Sequence, residues 1–257
     1  MLQKERQTRI LTILQAKESV SIASLVDEFH CSRETIRRDM ESLEKRGLIT
    51  KVHGGAVLIT PDEVLSSFGS RKVIHHREKI EMAAKAVDFI EENSVIGMNA
   101  GTCTYFIACE MRKKFSHLTV ITNSLNAISE LSLKKDFSIV VPGGILDHNE
   151  ESLNGPVAEN TLRTFHVDTA FISPGGISEE WGVTEFMNNE LPIEKILLER
   201  ADRAYIVGEH QKFDRKCLLK LCDFSQIKGI ITDSQCPDEV IERYKERGVE
   251  VFRAAAL

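Results

Sequence analysis

Apolar residues recur with two different spacings along this chain, and the change from one to the other divides it. Over residues 31–48, Ile36, Met40 and Leu43 fall at i, i+4 and i+7, which lays one apolar stripe along a helix. The Ser32 hydroxyl is placed to cap that helix, and Gly47 stands where it would end in a left-handed residue. At about 100° per residue, Glu34, Arg37, Arg38 and Glu41 point away from the stripe. Upstream, Ile10, Ile13 and Leu14 mark a first helix, and Ile22, Leu25, Val26 and Phe29 mark a second, which Ser21 can cap. Residues 30–32 then join the second helix to the third at helix-turn-helix spacing. Downstream, LITKVHGGAVL alternates apolar residues around Gly54-Gly55, which predicts a short hairpin. Three helices and a hairpin make a winged helix-turn-helix over residues 1–58.

Residues 59–76 hold Pro61, Gly69 and several serines without a sustained period, and read as a linker. From residue 77 the pattern becomes helices alternating with short apolar strands. Ile80, Ala83, Ala84, Val87, Phe89 and Ile90 predict a helix, and the loop NAGTC opens another that runs through Glu110. SLNAISEL, PIEKILLERA and DEVIERYKER supply further helices. The runs SVIGM, LTVITN, SIVV, DTAFIS, RAYIVGE, GIIT and VEVF read as strands. This alternation predicts a mainly parallel sheet with helices on both faces over residues 77–257, so the fold class is α/β with a small helical head.

A chain of 257 residues with 42% hydrophobic content suits a small domain plus a larger one. The net charge of −6 argues against indiscriminate coating of nucleic acid, but it is unevenly spread. Residues 1–58 carry 10 Lys/Arg and 8 Asp/Glu, a net of +2, and the remainder carries −8. A mildly basic head on an acidic body fits phosphate contact by the head alone. The six cysteines form no C-x-x-C pair and no zinc-type spacing, so no metal and no cofactor are expected. With no secretory signal pattern, these cysteines read as reduced thiols of a cytoplasmic protein. No apolar run approaches the ~20 residues that span a bilayer, so no membrane partner is expected.

Candidate chemistry collects in two places. On the third helix, Arg33, Thr35 and Arg37 are placed for base edges of double-stranded DNA. Ser32, Arg38 and the wing residues Lys51 and His53 are placed for phosphate or the minor groove. In the larger domain, polar residues and glycines gather where strands end. The candidate small-molecule site there comprises Asn99, Ala100, Gly101, Thr102, Cys103, Thr122, Asn123, Gly175, Gly176 and Lys212. A Gly and a hydroxyl residue at a strand-to-helix turn let backbone amides and the helix dipole face an anion. Lys212 adds a point charge.

Arg6, Ile10, the TIRRD run 35–39, Leu43, Gly47 and the wing's His53-Gly54-Gly55-Ala56 resemble the DNA-binding head of the DeoR/GlpR family of bacterial transcriptional regulators. The likeness continues through the larger domain, which resembles that family's effector domain and, in fold, ribose-5-phosphate isomerase. It implies a phosphorylated sugar or related metabolite as effector. The family's first loop usually reads D-[SA]-G-T-T and here reads N-A-G-T-C, with Asn99 for the acid and Cys103 for the second threonine. The later D-x-S-K-F-G reads Glu209 to Asp214. Asn99 donates as well as accepts, and the Cys103 thiol removes one possible phosphate ligand.

An isomerase-like enzyme fused to a DNA-binding domain is the alternative. The isomerase motif G-A-D-E is matched here by S-P-G-G-I, which lacks the acid. Glu194-Lys195 falls near the base position but reads as a solvated pair on an exposed helix. Cys103 at a helix start is a candidate for a lowered thiol pKa, with no histidine placed beside it. The expectation is therefore binding without turnover. It is a sequence-specific regulator, read as a repressor, of a sugar or polyol operon, in which a phosphorylated metabolite reorients paired heads. A homo-oligomer, dimer or tetramer, is expected because one isolated head makes too few DNA contacts.

Overall fold

The computed structural model describes residues 3–17, 19–45, 49–52, 55–58, 68–186 and 189–257. The chain forms two compact units, Met1–Ile74 and His75–Leu257, and the division falls inside the stretch read as a linker. Residues 59–67 of that stretch lie outside the described residues, whereas Phe68–Val73 is helical.

The first unit contains α1 (Gln3–Lys17), β1 (Ser19–Ser21), α2 (Ile22–Phe29), α3 (Arg33–Lys45), β2 (Ile49–Val52), β3 (Gly55–Leu58) and α4 (Phe68–Val73). Ile36, Met40 and Leu43 of α3 are fully buried with Ile10, Leu14 and Leu25, as the apolar stripe predicts. The local signals hold as well. The Thr35 amide donates to Ser32 Oγ at 3.1 Å, the Ser24 amide donates to Ser21 Oγ at 3.0 Å, and α2 ends at His30 in a left-handed conformation. The expected hairpin is β2–β3, and β1 adds an unanticipated third strand in the order β1-β3-β2, all antiparallel. That strand explains Gly55, because a Cβ there would overlap the Val20 carbonyl oxygen across the ladder. Asp39 is buried in the core. It accepts from Arg6 Nε and, at 3.4 Å, from Gln7 Nε2, which ties α3 to α1.

The second unit begins with α5 (His76–Ala86). Its main sheet comprises β4 (Val95–Met98), β5 (Thr119–Thr122), β6 (Ser138–Val140), β9 (Val167–Ile172), β12 (Ala201–Val207), β14 (Gly229–Thr232) and β15 (Val251–Arg253). These strands are parallel in the order β15-β14-β12-β9-β4-β5-β6. Side chains alternate between the faces, as a pleated strand requires. Phe171, Tyr205, Val207 and Ile231 pack beneath α5, α6 (Thr102–Lys114) and α7 (Leu125–Leu131). Ala170, Ile172, Ile206 and Ile230 pack on the other face against α8 (Pro156–Leu162), α9 (Leu191–Arg200) and α10 (Asp238–Glu246). The predicted doubly covered α/β sheet is therefore present. The alternation pattern missed the hairpin β7 (Ile145–Asp147) and β8 (Ser152–Asn154), helix α8, and a small antiparallel sheet of β10 (Gly176–Ser178), β11 (Gly182–Glu185) and β13 (Leu219–Cys222).

The chain enters the main sheet at β4, runs outward through β5 and β6, then returns to place β9 on the other side of β4. The crevice beyond the carboxyl ends of β4 and β9 is thus the topological switch point, where open α/β sheets bind their ligands.

Candidate functional site

On the head, Arg33, Arg37 and Arg38 are exposed on α3, opposite the buried stripe. Arg38 Nε lies 3.2 Å from Glu34 Oε1 in an exposed i, i+4 pair, which is worth little to stability. Ser32 and Thr35 share a hydroxyl contact of 2.9 Å at the start of α3, so the two engage each other as well as the cap. Lys51 lies in strand β2. His53 and Gly47 lie outside the described residues.

In the second unit, the switch point is closed by a reciprocal contact between the ends of β4 and β9. The Ser173 amide donates to Asn99 Oδ1 at 2.9 Å, and Asn99 Nδ2 donates to the Ser173 carbonyl at 3.2 Å and to Glu194 Oε1 at 2.7 Å. An asparagine suits this position because it must donate and accept at once. Thr104 Oγ1 donates to the Asn99 carbonyl at 2.8 Å and fixes the loop that holds Ala100 and Gly101, both buried. Helix α6 opens from Gly101 with no side-chain cap, and Thr102 and Cys103 form its first turn.

Cys103, in the first turn of α6, faces the interior. Its thiol is fully buried and lies 3.1 Å from Glu209 Oε2. Burial, reinforced by that carboxylate, pushes the thiol up to about 11, which corrects the expectation of a lowered pKa at a helix start. Glu209 itself lies 3.7 Å from the buried Lys79 ammonium. Burial alone would raise the Glu209 carboxyl, but Lys212 and Lys79 outweigh it and hold the group at about 2. Lys212 Nζ also donates to Ser173 Oγ at 3.0 Å and to the Pro174 carbonyl at 2.6 Å, which places it at the carboxyl end of β9.

A second polar cluster adjoins the end of β5. Thr122 is buried and caps its own turn through the Ser124 amide at 3.2 Å. Asn123 Nδ2 donates to Asn154 Oδ1 at 3.1 Å and to Glu190 Oε2 at 3.3 Å. Glu190 Oε1 accepts from Ser152 Oγ at 2.5 Å and Asn154 Nδ2 at 2.7 Å. Burial raises the Glu190 carboxyl against these donors. The Gly175 amide donates to Glu185 Oε2 at 2.8 Å. Gly176 passes so close to the Arg215 carbonyl that an added Cβ would lie 2.5 Å from it.

Glu194 is the main correction. It is not on a solvated face, being 1% exposed beside Asn99 and Glu185, while its neighbour Lys195 is exposed. Burial, then the nearby Glu185 and Glu190 carboxylates, push its carboxyl well above the ordinary range. The missed residues Lys79, Ser152, Asn154, Glu185, Glu190 and Glu194 come from α5, the β7–β8 hairpin, β11 and the start of α9. None carries a local motif.

A winged helix-turn-helix joined to a parallel α/β unit, with a buried polar site at its switch point, defines a DNA-binding regulator with a sensor unit. The chain matches the DeoR-like helix-turn-helix domain over residues 6–62 and the DeoR C-terminal sensor domain over residues 74–234. It belongs to the DeoR family of transcriptional regulators. It is 31% identical to the L-fucose operon activator of Haemophilus influenzae, over 94% of this chain and 96% of that protein. It is 30% identical to the transcriptional regulator GlpR of Haloferax volcanii, over 100% of both chains. It is 27% identical to the glycerol-3-phosphate regulon repressor of Escherichia coli, over 98% of this chain and 99% of that one. Among solved structures, ribose 5-phosphate isomerase A of Methanocaldococcus jannaschii aligns at a TM-score of 0.41 and 16% identity, covering 54% of this chain and 55% of that one. No described helix is long and apolar enough to cross a membrane.

Proposed function

We propose that this chain is a sequence-specific regulator, read as a repressor, of an operon for sugar or polyol catabolism, and that it answers to a phosphorylated metabolite. The observation that carries this reading is the buried polar site at the switch point, on the same chain as an exposed, arginine-bearing recognition helix. Relatives named for an L-fucose operon and a glycerol-3-phosphate regulon support it. The amides opening α6 at Gly101, Thr102 and Cys103, with Lys212, suit a phosphate. Thr122, Asn123, Gly175 and Gly176, with Glu190 behind Asn123, suit sugar hydroxyls. On DNA, Arg33, Thr35 and Arg37 read base edges, while Ser32, Arg38, Lys51 and His53 take the backbone or minor groove. A homo-oligomer, dimer or tetramer, presents paired heads to repeated half-sites.

The effector acts only through its differential affinity for the DNA-competent and DNA-incompetent states. Fluorescence anisotropy of the full chain on the DNA upstream of its own operon and on random duplex, at fixed salt, tests the reading. Sugar phosphates should change operator affinity, and Lys212→Ala or Thr102→Val should abolish that change. An intact response in both variants would refute the pocket. The second reading, an isomerase, draws on one observation, the buried Glu194 carboxyl. Turnover of ribose 5-phosphate by the wild type, lost in Glu194→Gln, would favour it.

A further inference from the structure

The main sheet ends on two outer strands, β15 and β6, and their edges differ in charge. At β15, Arg253 pairs with Asp238 at 2.6 Å, and the exposed Glu250 precedes the strand. Charged side chains at an edge are a common protection against pairing with another chain. β6 lacks that protection, because the run Ser138-Ile139-Val140-Val141 carries no charge. Among the described residues, β6 pairs only with β5. The Ser138 amide donates inward, to the Leu118 carbonyl at 2.9 Å. Strand alternation therefore turns the amide and carbonyl of Ile139 outward, toward the open edge.

Exposed aliphatic side chains adjoin that edge where β6 ends. Val141 is 44% exposed, Ile145 on β7 71% and Val157 on α8 62%. The last two meet around glycines: a Cβ on Gly155 would lie 3.5 Å from Ile145 Cδ1, and one on Gly143 3.8 Å from Val157 Cγ1. At the other end of β6, Leu133 is 67% exposed in the preceding turn. A contiguous aliphatic patch beside an unpaired strand edge marks an interaction surface. Charge is also polarised along the strand. The turn before β6 holds Lys134 and Lys135 against Asp136. The β7–β8 hairpin, which bridges from Ser152 to Ser124 at the carboxyl end of β5, holds Asp147, Glu150 and Glu151 and no Lys or Arg.

We propose that β6 and this patch are the surface on which two copies of the chain pair, edge to edge and antiparallel across a two-fold axis. A strand edge complements an identical edge run antiparallel, and a two-fold contact closes after two copies rather than growing into a filament. Antiparallel pairing sets the Lys134-Lys135 turn of one copy toward the acidic hairpin of its partner, whereas parallel pairing would set like charges together. It also brings Leu133 of each copy to the aliphatic patch of the other, so that both leave water. The proposal rests on the homo-oligomer reading above, for which it supplies the interface.

Sedimentation velocity of the full chain tests it. Ile145→Asp combined with Val157→Asp places unpaired charge in the patch at two exposed positions. It should weaken association about a hundredfold, so that the particle mass falls to half the wild-type value at the same concentration. Val141→Lys, which sets a charge beside the strand edge, should do the same and takes the place of the double variant if that one does not fold. Leu218→Asp, at a position 77% exposed beside β13, should keep the wild-type mass. Far-ultraviolet circular dichroism and the fluorescence of Trp181, the one tryptophan, report that each variant is folded. A wild-type chain that sediments as a monomer overturns the proposal together with the homo-oligomer reading. A wild-type oligomer whose mass persists in the folded double variant overturns the proposal alone, as does one that Leu218→Asp halves equally.

Discussion

Replacing Glu209 with glutamine isolates the charge at the centre of the sensor unit. The substitution keeps the size of the side chain and an acceptor for the Cys103 thiol, but leaves Lys79 and Lys212 without their shared anion. Lys79 is 2% exposed and Glu209 9%, so solvent screens this cluster poorly. Holding the carboxyl at about 2 instead of the ordinary 4.5 corresponds to about 3 kcal/mol in favour of the folded state at neutral pH. Breaking a buried pair by removing one partner typically costs about 3–5 kcal/mol, which agrees. Because the folded-state pKa is depressed, this stability is present above about 4.5 and is lost as pH falls toward about 2. Urea unfolding followed by Trp181 fluorescence, in the same unit, should show Glu209→Gln less stable by about 3 kcal/mol at pH 7. The gap should narrow steadily below pH 4.5. A gap under about 0.5 kcal/mol at pH 7, or one unchanged down to pH 3, would refute the assignment of that charge.

Other outcomes follow from the same geometry. Arg37→Ala should weaken operator binding and relax discrimination by about 1–3 kcal/mol at the contacted base, and unchanged affinity for operator and random DNA would contradict the base-edge role. Asp39→Ala, which removes the buried acceptor that Arg6 and Gln7 of α1 share, should destabilise the head by about 3 kcal/mol in far-ultraviolet circular dichroism melts; a melt identical to wild type would show that the tie is dispensable. In native protein at pH 8, alkylation read by mass spectrometry should mark Cys31 and Cys109, which are half-buried, well before Cys103, whose thiol is held near 11. Equal rates at Cys103 and Cys109 would argue against its burial. Gly176→Ala should lower the stability of the sensor unit by about 1–3 kcal/mol, since its Cβ has no room beside the Arg215 carbonyl.

The head was legible from sequence because its determinants are local. The Ile36, Met40 and Leu43 stripe, the Ser21 and Ser32 caps and the alternation around Gly54-Gly55 all act within a few residues, and helix and hairpin periods report them directly. The strands of the main sheet were legible for the same reason, since apolar runs bounded by turns mark buried strands. The loop at Asn99 and the position of Lys212 could be read as strand-end chemistry. The orientation of their partners could not. Glu194 and Lys195 are adjacent in the sequence, and a helix turns them about 100° apart, so one is buried beside Asn99 while the other meets solvent. Periodicity says that α9 has a buried face, not that Asn99 and Glu185 stand opposite it.

The short strands β7, β8, β10 and β11 carry too few residues to show a period, yet they bring Ser152, Asn154 and Glu185 to the site. Likewise, burial decided that Cys103 is a raised thiol rather than a reactive one, against the helix start its sequence position suggested. Sequence alone determined the two-unit plan, the recognition helix and the family. The tertiary structure decided which carboxylates and lysines meet in the buried polar cluster beyond β4 and β9, because contacts between residues 79, 99, 185, 194 and 209 join chain segments that no local pattern connects.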